Sequence, residues 1–414
     1  MSVIAEQNLD RTDLGDLDLW DDGPPHALFT RLRREAPLHW SPLDDYPAER
    51  GFWSLTRADD LRKVSLDWQT FSSYVGGIMV LDDFGIPLEG QQQQMISMDP
   101  PRHDRIKALF QRGFTPKRIA EHEERIRGIV NDKLDRVCER GECDLVTEVA
   151  GPVVSRVIGS LIGSDPADDQ RHLEETNMVL GFGDDELRPT EEAVIEMMSR
   201  NWDETMEIVA ERRANPGADD LIDVLVHSEV DGEKLSDAEI FMGLGLLGAA
   251  GNDSTRSVFT SGMLGLFESP DQLALLLDDP SLISGAVEEL LRCYPAFAHF
   301  RRTATRDVEM HGKTIREGDK VLLWYVASNR DESVYDDPQR LDVTRKPDHQ
   351  AFGAGGRHFC LGAALARLEI KALLEETLRR FPDIELAGEP TKARSLFLNQ
   401  LKTMPVRFTP QPPG

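Results

Sequence analysis

Phe352-Gly353-Ala354-Gly355-Gly356-Arg357-His358-Phe359-Cys360-Leu361-Gly362 is the most informative stretch of this 414-residue chain. Its glycines let the backbone bend tightly and lie close to a flat surface. The residues after Cys360, to about Arg380, read as a helix, so the cysteine sits where a loop becomes a helix. Backbone N–H groups at such a junction can donate to a sulfur, and the helix N-terminus favours a thiolate. One shielded, hydrogen-bonded thiolate suits a haem iron. A structural cysteine on a glycine turn is the plain alternative. A nucleophile would need a base, and His358 lies only two residues away, which is poor geometry for a dyad. A zinc site would need a second cysteine pair at ligand spacing, which the sequence does not offer.

Working outward, residues 237–268 read as one long helix, with Ser236 and Glu239 forming a capping box at its start. Glycines at 243, 245, 248 and 251 each cost about 1 kcal/mol against alanine in a helix interior. A helix carrying four of them lets something approach closely; tight packing on another helix is an equal reading. Within it, Ala250-Gly251-Asn252-Asp253-Ser254-Thr255 places an acid and two hydroxyls in apolar surroundings. A helix over 282–293 carries Glu289 and Arg292 at a spacing that lets them pair on one face. His103 and Lys107 share a face of a helix that follows Asp99-Pro100-Pro101. Short strands are expected at 38–40 and 52–55, a long loop at 72–100, mostly helix over 101–213, a hairpin at 308–324 and irregular chain over 326–350.

Together these motifs resemble the cytochrome P-450 family, over roughly residues 95–410. Counting back from Cys360, His358 and Gly356 fall on positions of its haem loop, with Phe352 displaced by one residue. The resemblance is to a bacterial subgroup that oxidises sterol side chains and methyl-branched lipids. It implies a mainly α fold with a small β region, the cytochrome P-450 fold, built around haem b. It also implies Cys360 as iron ligand, with Phe352 and Gly362 framing the haem, and His103, Lys107, Arg302 and His358 at the propionates. Glu289, Arg292 and Arg345 match a buried structural network. Asp253 and Ser254 match the oxygen-activating pair, Ser254 standing where most members have threonine, with Thr255 as a second hydroxyl. Carried-over pocket positions are Ile78, Met79, Val80, Leu246, Ala249, Ala250, Ala298, Phe300, Phe397 and Leu398. His299 and Arg301 are candidates to greet a carboxylate or hydroxyl.

Composition sets outer bounds. Lys plus Arg is 47 against 74 Asp plus Glu, a net charge of −27, which repels nucleic acid and anionic membranes. Against that background, residues 101–118 hold six basic residues (Arg102, Arg105, Lys107, Arg112, Lys117, Arg118) and one acid. Arg367 and Lys371 can join this patch, and the family resemblance implies an acidic ferredoxin, served by a ferredoxin reductase, as its partner. Residues 1–22 read as a flexible acidic arm with no signal peptide, 23–410 as a single catalytic domain and 411–414 as a tail. The longest uncharged helical stretch singled out, 240–252, is too short to span a bilayer, so no membrane anchor is expected. Four scattered cysteines fit a reducing cytoplasm. The implied activity is hydroxylation of a steroid, terpenoid or branched fatty chain using O2 and two electrons. The rivals are epoxidation, desaturation or C–C coupling on the same scaffold, a peroxide-driven enzyme, and a non-catalytic haem sensor.

Overall fold

The structure, a computed structural model, describes residues 9, 12–43, 46, 49–81, 86–114, 116–181, 183–188, 190–217, 221–230 and 232–414, without the side chains of 116–118 and 230. The helices that position the site are α1 (Arg102–Gln111), α2 (Asp169–Leu180), α3 (Asp237–Glu268), α4 (Ile283–Cys293) and α5 (Ala363–Arg380). Ser236 and Glu239 close the expected capping box at the start of α3. This 32-residue helix is buried along most of its length, so it runs through the core rather than over it. Two of its glycines explain how: a side chain at Gly243 would strike Phe110 of α1, and one at Gly251 would strike Ile158. Gly245 and Gly248 have no neighbour where a Cβ would point. The glycine stripe therefore serves close packing at two positions and open space at the other two.

A five-stranded sheet lies beside this helical body. Its strands are β1 (Leu38–Ser41), β2 (Phe52–Leu55), β3 (Phe71–Ser72), β4 (His299–Ala304) and β5 (Lys320–Trp324), in the order β1-β2-β5-β4-β3. Only the β2–β5 pairing is parallel; Val321 of β5 faces Arg302 of β4 across an antiparallel ladder. The expected hairpin turns at His311-Gly312, both with positive φ.

Three expectations change. The segment 12–22 is not a loose arm: Leu14 and Trp20 are fully buried, and Trp20 stacks on Trp324 of β5 at 5.3 Å. Apolar side chains at Leu14, Leu17, Leu19 and Trp20 outweigh the acids between them. The helical run over 101–213 is interrupted by a strand, Glu142–Asp144, which pairs with Pro405–Arg407. And a longer apolar stretch exists than 240–252. Leu145–Ile162 is long and apolar enough to cross a membrane by length and composition, but 61% of it is buried inside the protein, where it packs on α3.

Candidate active site

Gly353, Gly355 and Gly356 all have φ between +81° and +97°, the left-handed region that only glycine enters at little cost. They turn the loop so that the Cys360 N–H donates to the Phe352 carbonyl at 2.9 Å. Gly362 caps α5, and its N–H bonds back to the Cys360 sulfur. Burial pushes the Cys360 thiol up, while the Gly362 N–H, Lys107 and Arg367 pull it down. The thiol lies deep in the molecule, yet its side chain is accessible, so it faces an internal space. Phe352, one residue out of register with the family, still packs beside the loop: its ring lies 4.6 Å from the Arg367 guanidinium and 5.6 Å from His349.

Two imidazoles and one guanidinium converge next to this loop. The rings of His103 and His358 lie 4.2 Å apart, and Arg302 is close enough to depress the pKa of His358. Burial is the largest cause of the lowered pKa at His103, His358 and Arg302 alike. Arg302 is buried, and its guanidinium donates to the Arg301 carbonyl rather than to a carboxylate. Asp99 accepts from Ser72 and Ser73, while Asp104 accepts from Arg357 through one oxygen and contacts His103 Nδ1 at 3.0 Å through the other. Arg302 is thus a buried cation with no carboxylate bonded to it among the described residues, which is costly unless an anion joins it. A thiol donor, a glycine cradle, a buried arginine and two imidazoles able to donate hydrogen bonds fit a haem and its two propionates. Lys107 is placed differently from expectation. Its Nζ donates to the carbonyls of Arg357 and Phe359, at 2.6 and 2.7 Å, and so clamps the cysteine loop.

The acid and hydroxyls of α3 separate. Ser254 is partly accessible and its Oγ donates to the Ala250 carbonyl at 2.7 Å, one turn back. Asp253 is fully buried and ion-paired with Arg256. Thr255, expected as a second cavity hydroxyl, is buried against Glu369 of α5, so it does not share the position of Ser254.

The apolar wall also departs from the carried-over positions. Ile78, Met79 and Phe397 form one cluster with the partly buried Phe297, Phe300, Ile96 and Leu180. Phe297, Phe300 and Phe397 lie 5.2 to 5.7 Å from one another. Phe300 shares its strand face with Arg302, so this wall stands on the side of Arg302 and the two imidazoles. Leu246, Ala249 and Ala250 are partly accessible along α3. Val80 and Ala298 instead belong to the core around Trp20 and Trp324. Leu398 is fully buried and, with Ala298 and Trp20, borders a separate small void. The residues missed were Phe297, Ile96 and Leu180. Strand alternation run backward from Phe300 selects Ala298; a lone bridge between Phe297 and Leu398 interrupts that alternation.

Of the candidate polar anchors, His299 touches the wall, its ring lying 5.5 Å from that of Phe397. His299 bonds to the Leu396 carbonyl at 3.1 Å and packs on Trp324; burial takes its pKa down to about 3, so it is neutral. Arg301 donates to the Met79 carbonyl and to Thr303, tying the loop of Ile78 and Met79 to β4. Half of the basic patch is spent inside the protein: Arg102 pairs with Glu239, Arg367 with Glu288 and Lys371 with Glu375, and Lys107 holds the loop carbonyls. Arg112 is exposed, and the side chains of Lys117 and Arg118 lie outside the described residues.

The remaining motif meets as a unit. Arg292 grips Glu289 with two bonds of 2.7 Å, both residues fully buried, and Arg345 adds a third contact at 3.2 Å.

Known proteins share this arrangement. The family profile described as cytochrome P450 matches residues 277–404. A methyl-branched lipid omega-hydroxylase of Mycobacterium tuberculosis is 38% identical over 411 residues, covering 96% of this chain and 94% of that one. A Mycobacterium tuberculosis steroid monooxygenase named for carbon 26 is 39% identical over 325 residues, covering 77% of this chain and 81% of that one. The structure of a Mycobacterium marinum cytochrome P-450 in complex with pseudoionone superposes with a TM-score of 0.90 at 34% identity, covering 99% of this chain and all of that one. The likeness thus reaches well before residue 95. The thiol loop, the buried arginine with its two imidazoles and this full-length similarity make the chain a member of the cytochrome P-450 family, haem b-binding monooxygenases that act on hydrophobic substrates.

Proposed function

We propose that this enzyme hydroxylates the terminal carbon of an uncharged, methyl-branched hydrocarbon chain, drawing two electrons from a ferredoxin in the cytoplasm. The observation that carries the substrate class is the wall of Phe297, Phe300 and Phe397 facing Ile78 and Met79. Of the polar side chains beside it, Arg301 is bonded to the Met79 carbonyl and Thr303, and His299, which packs on Phe397, is held neutral by burial. A wall of this kind gains from apolar area and offers a carboxylate no partner. The names of two relatives specify a chain end, omega and carbon 26, which supports attack at that end.

Bound haem supplies the activation of O2 and the insertion of one oxygen atom into a C–H bond, the other leaving as water. Cys360 is the iron ligand in this reading, its sulfur steadied by the Gly362 N–H. His103, Arg302 and His358 hold the propionates. Lys107 keeps the loop carbonyls of Arg357 and Phe359 in place. In this reading Asp253 carries the proton through Oδ2, the oxygen without a hydrogen-bond partner, and the Ser254 hydroxyl leaves the Ala250 carbonyl to pass it toward the cavity. Exposed Arg112 remains available to an acidic ferredoxin.

The test is a binding and product panel on the holoenzyme. Branched alkanols, sterols and terpenoid ketones should convert ferric protein from low to high spin, with oxygen found at the end carbon. Tighter binding of straight-chain free fatty acids than of their methyl esters, or oxidation confined to mid-chain carbons, would overturn the assignment.

A further inference from the structure

Two acid–arginine pairs at the same helical spacing are built in opposite ways. In α4, Arg292 meets Glu289 through Nε and Nη2 together, one nitrogen to each carboxylate oxygen, at 2.7 Å. That fork is the strong geometry. In α3, Arg256 meets Asp253 through Nη2 alone, on Oδ1. Its Nε is buried without a partner, and so is Asp253 Oδ2. The same Nη2 also donates to Asn177 Oδ1 of α2 and to Gln400 Oε1, each at 2.8 Å. An Nη2 group carries two hydrogens. Three acceptors therefore compete for two N–H bonds, while the neighbouring Nε goes unused. Asn252 Oδ1, Ser257 Oγ and Gln400 Nε2 are further buried atoms without a partner in the same contact set. Native interiors rarely leave so much hydrogen-bonding capacity unmet in one place without a use for it.

We propose that Arg256 is the positioning residue of the proton relay, holding Asp253 by one exchangeable bond whose strength is set by Asn177 and Gln400. The proposal rests on the reading of Asp253 as proton carrier given above. Asn177 is one turn from Leu180, which packs with Ile78, Met79 and Phe397 in the substrate wall. Thr176, beside it, accepts a bond from Asn252 Nδ2 at 3.1 Å. Substrate filling the wall bears on Leu180 and seats α2. Seated α2 presents Asn177 to Arg256, draws an N–H away from Asp253 and loosens the acid. With α2 displaced, Arg256 turns wholly onto Asp253 and the proton is withheld. Proton delivery thus waits for substrate, which limits wasteful reduction of oxygen.

The electrostatics around the acid are simple enough to test. Burial raises the pKa of Asp253, and Arg256 is the charge that opposes it. From α2 the facing groups are the neutral Thr176 and Asn177, from the C-terminal segment the neutral Gln400, and from Gly151–Ile162 the apolar Ile158. Glu369 of α5 lies against Thr255.

Infrared difference spectra of the substrate-free ferric holoenzyme, titrated with pH, read the Asp253 carboxyl directly, its band assigned by loss in Asp253→Asn. Arg256→Gln should raise the titration midpoint by about one unit or more, at least a tenfold change in proton affinity. Asn177→Ala should lower it, because the clamp then has one competitor fewer. General damage to packing would not move two midpoints in opposite directions. Midpoints that move the same way, or do not move, overturn the clamp; Asn177→Ala decides alone if Arg256→Gln does not fold. The relay reading is judged separately: an unchanged solvent isotope effect on O2 consumption in Asp253→Asn would remove it and leave the titration result standing.

Discussion

Replacing Glu289 by Gln keeps the shape of the side chain and removes its charge. Glu289 accepts from Arg292 Nε and Nη2, from Arg345 Nε and from the Asp342 N–H. Arg292 cannot find water instead, since its side chain is fully buried. Breaking a buried pair on one side costs about 3–5 kcal/mol, because the remaining charge is stranded. At about 2.1 cal/mol/K per residue, unfolding this chain carries an entropy near 0.9 kcal/mol/K, so the expected fall in Tm is about 3–6 °C. Arg292→Met should cost more. It strands Glu289 and also leaves the carbonyls of Asn329, Pro338 and Arg340 without their donor. Arg345→Met should cost least, since its side chain is 17% exposed and can be replaced by water. Scanning calorimetry of the three holoenzymes gives the order directly. A shift below 1 °C for Glu289→Gln, or Arg345→Met ranking above Arg292→Met, would refute the claim that this buried fork anchors the core.

Three further outcomes follow from the site. Cys360→Ala should abolish the strongly red-shifted Soret band of the dithionite-reduced, carbon monoxide-bound protein; retention of that band would place the thiolate elsewhere. Phe300→Ala should open the aromatic wall and spread oxidation from the chain end to inner carbons, read by mass spectrometry of the products; an unchanged product ratio would remove Phe300 from the wall. Burial raises Glu369 to about 8, against 4.5 for an ordinary glutamate, so the folded protein keeps a proton there that the unfolded chain releases. This contribution is complete below the unfolded value and is lost as pH rises toward 8, worth on the order of 5 kcal/mol. Glu369→Gln should therefore flatten the fall in stability between those values, measured by urea unfolding across pH; an unaltered slope would show that Glu369 ionises normally.

What could be read from sequence, and what could not, divides by the range of the interactions involved. The cap at Ser236 and Glu239, the helix over 283–293 and the helix after Gly362 are written in neighbouring residues, so their bounds could be placed closely. The positive φ angles at Gly353, Gly355 and Gly356 are likewise a local demand that only glycine meets cheaply. Which side chains face the cavity is decided elsewhere. Phe297 replaces Ala298 on the wall because of a bridge to Leu398, some hundred residues later in the chain. The basic patch looked free because Glu288 and Glu239, which neutralise Arg367 and Arg102, lie far away in sequence. Arg256 is the instructive exception. It stands three residues from Asp253 inside an apolar helix, a spacing that by itself predicts pairing. Charge inside such a helix needs a partner, a requirement that points to Arg256, yet the reading of the sequence passed over it. What no local rule could supply is that Asn177 and Gln400, from two other parts of the chain, would compete for the same nitrogen. The identity of the pair is legible in the sequence; whether it is built to hold or to let go is a property of the fold.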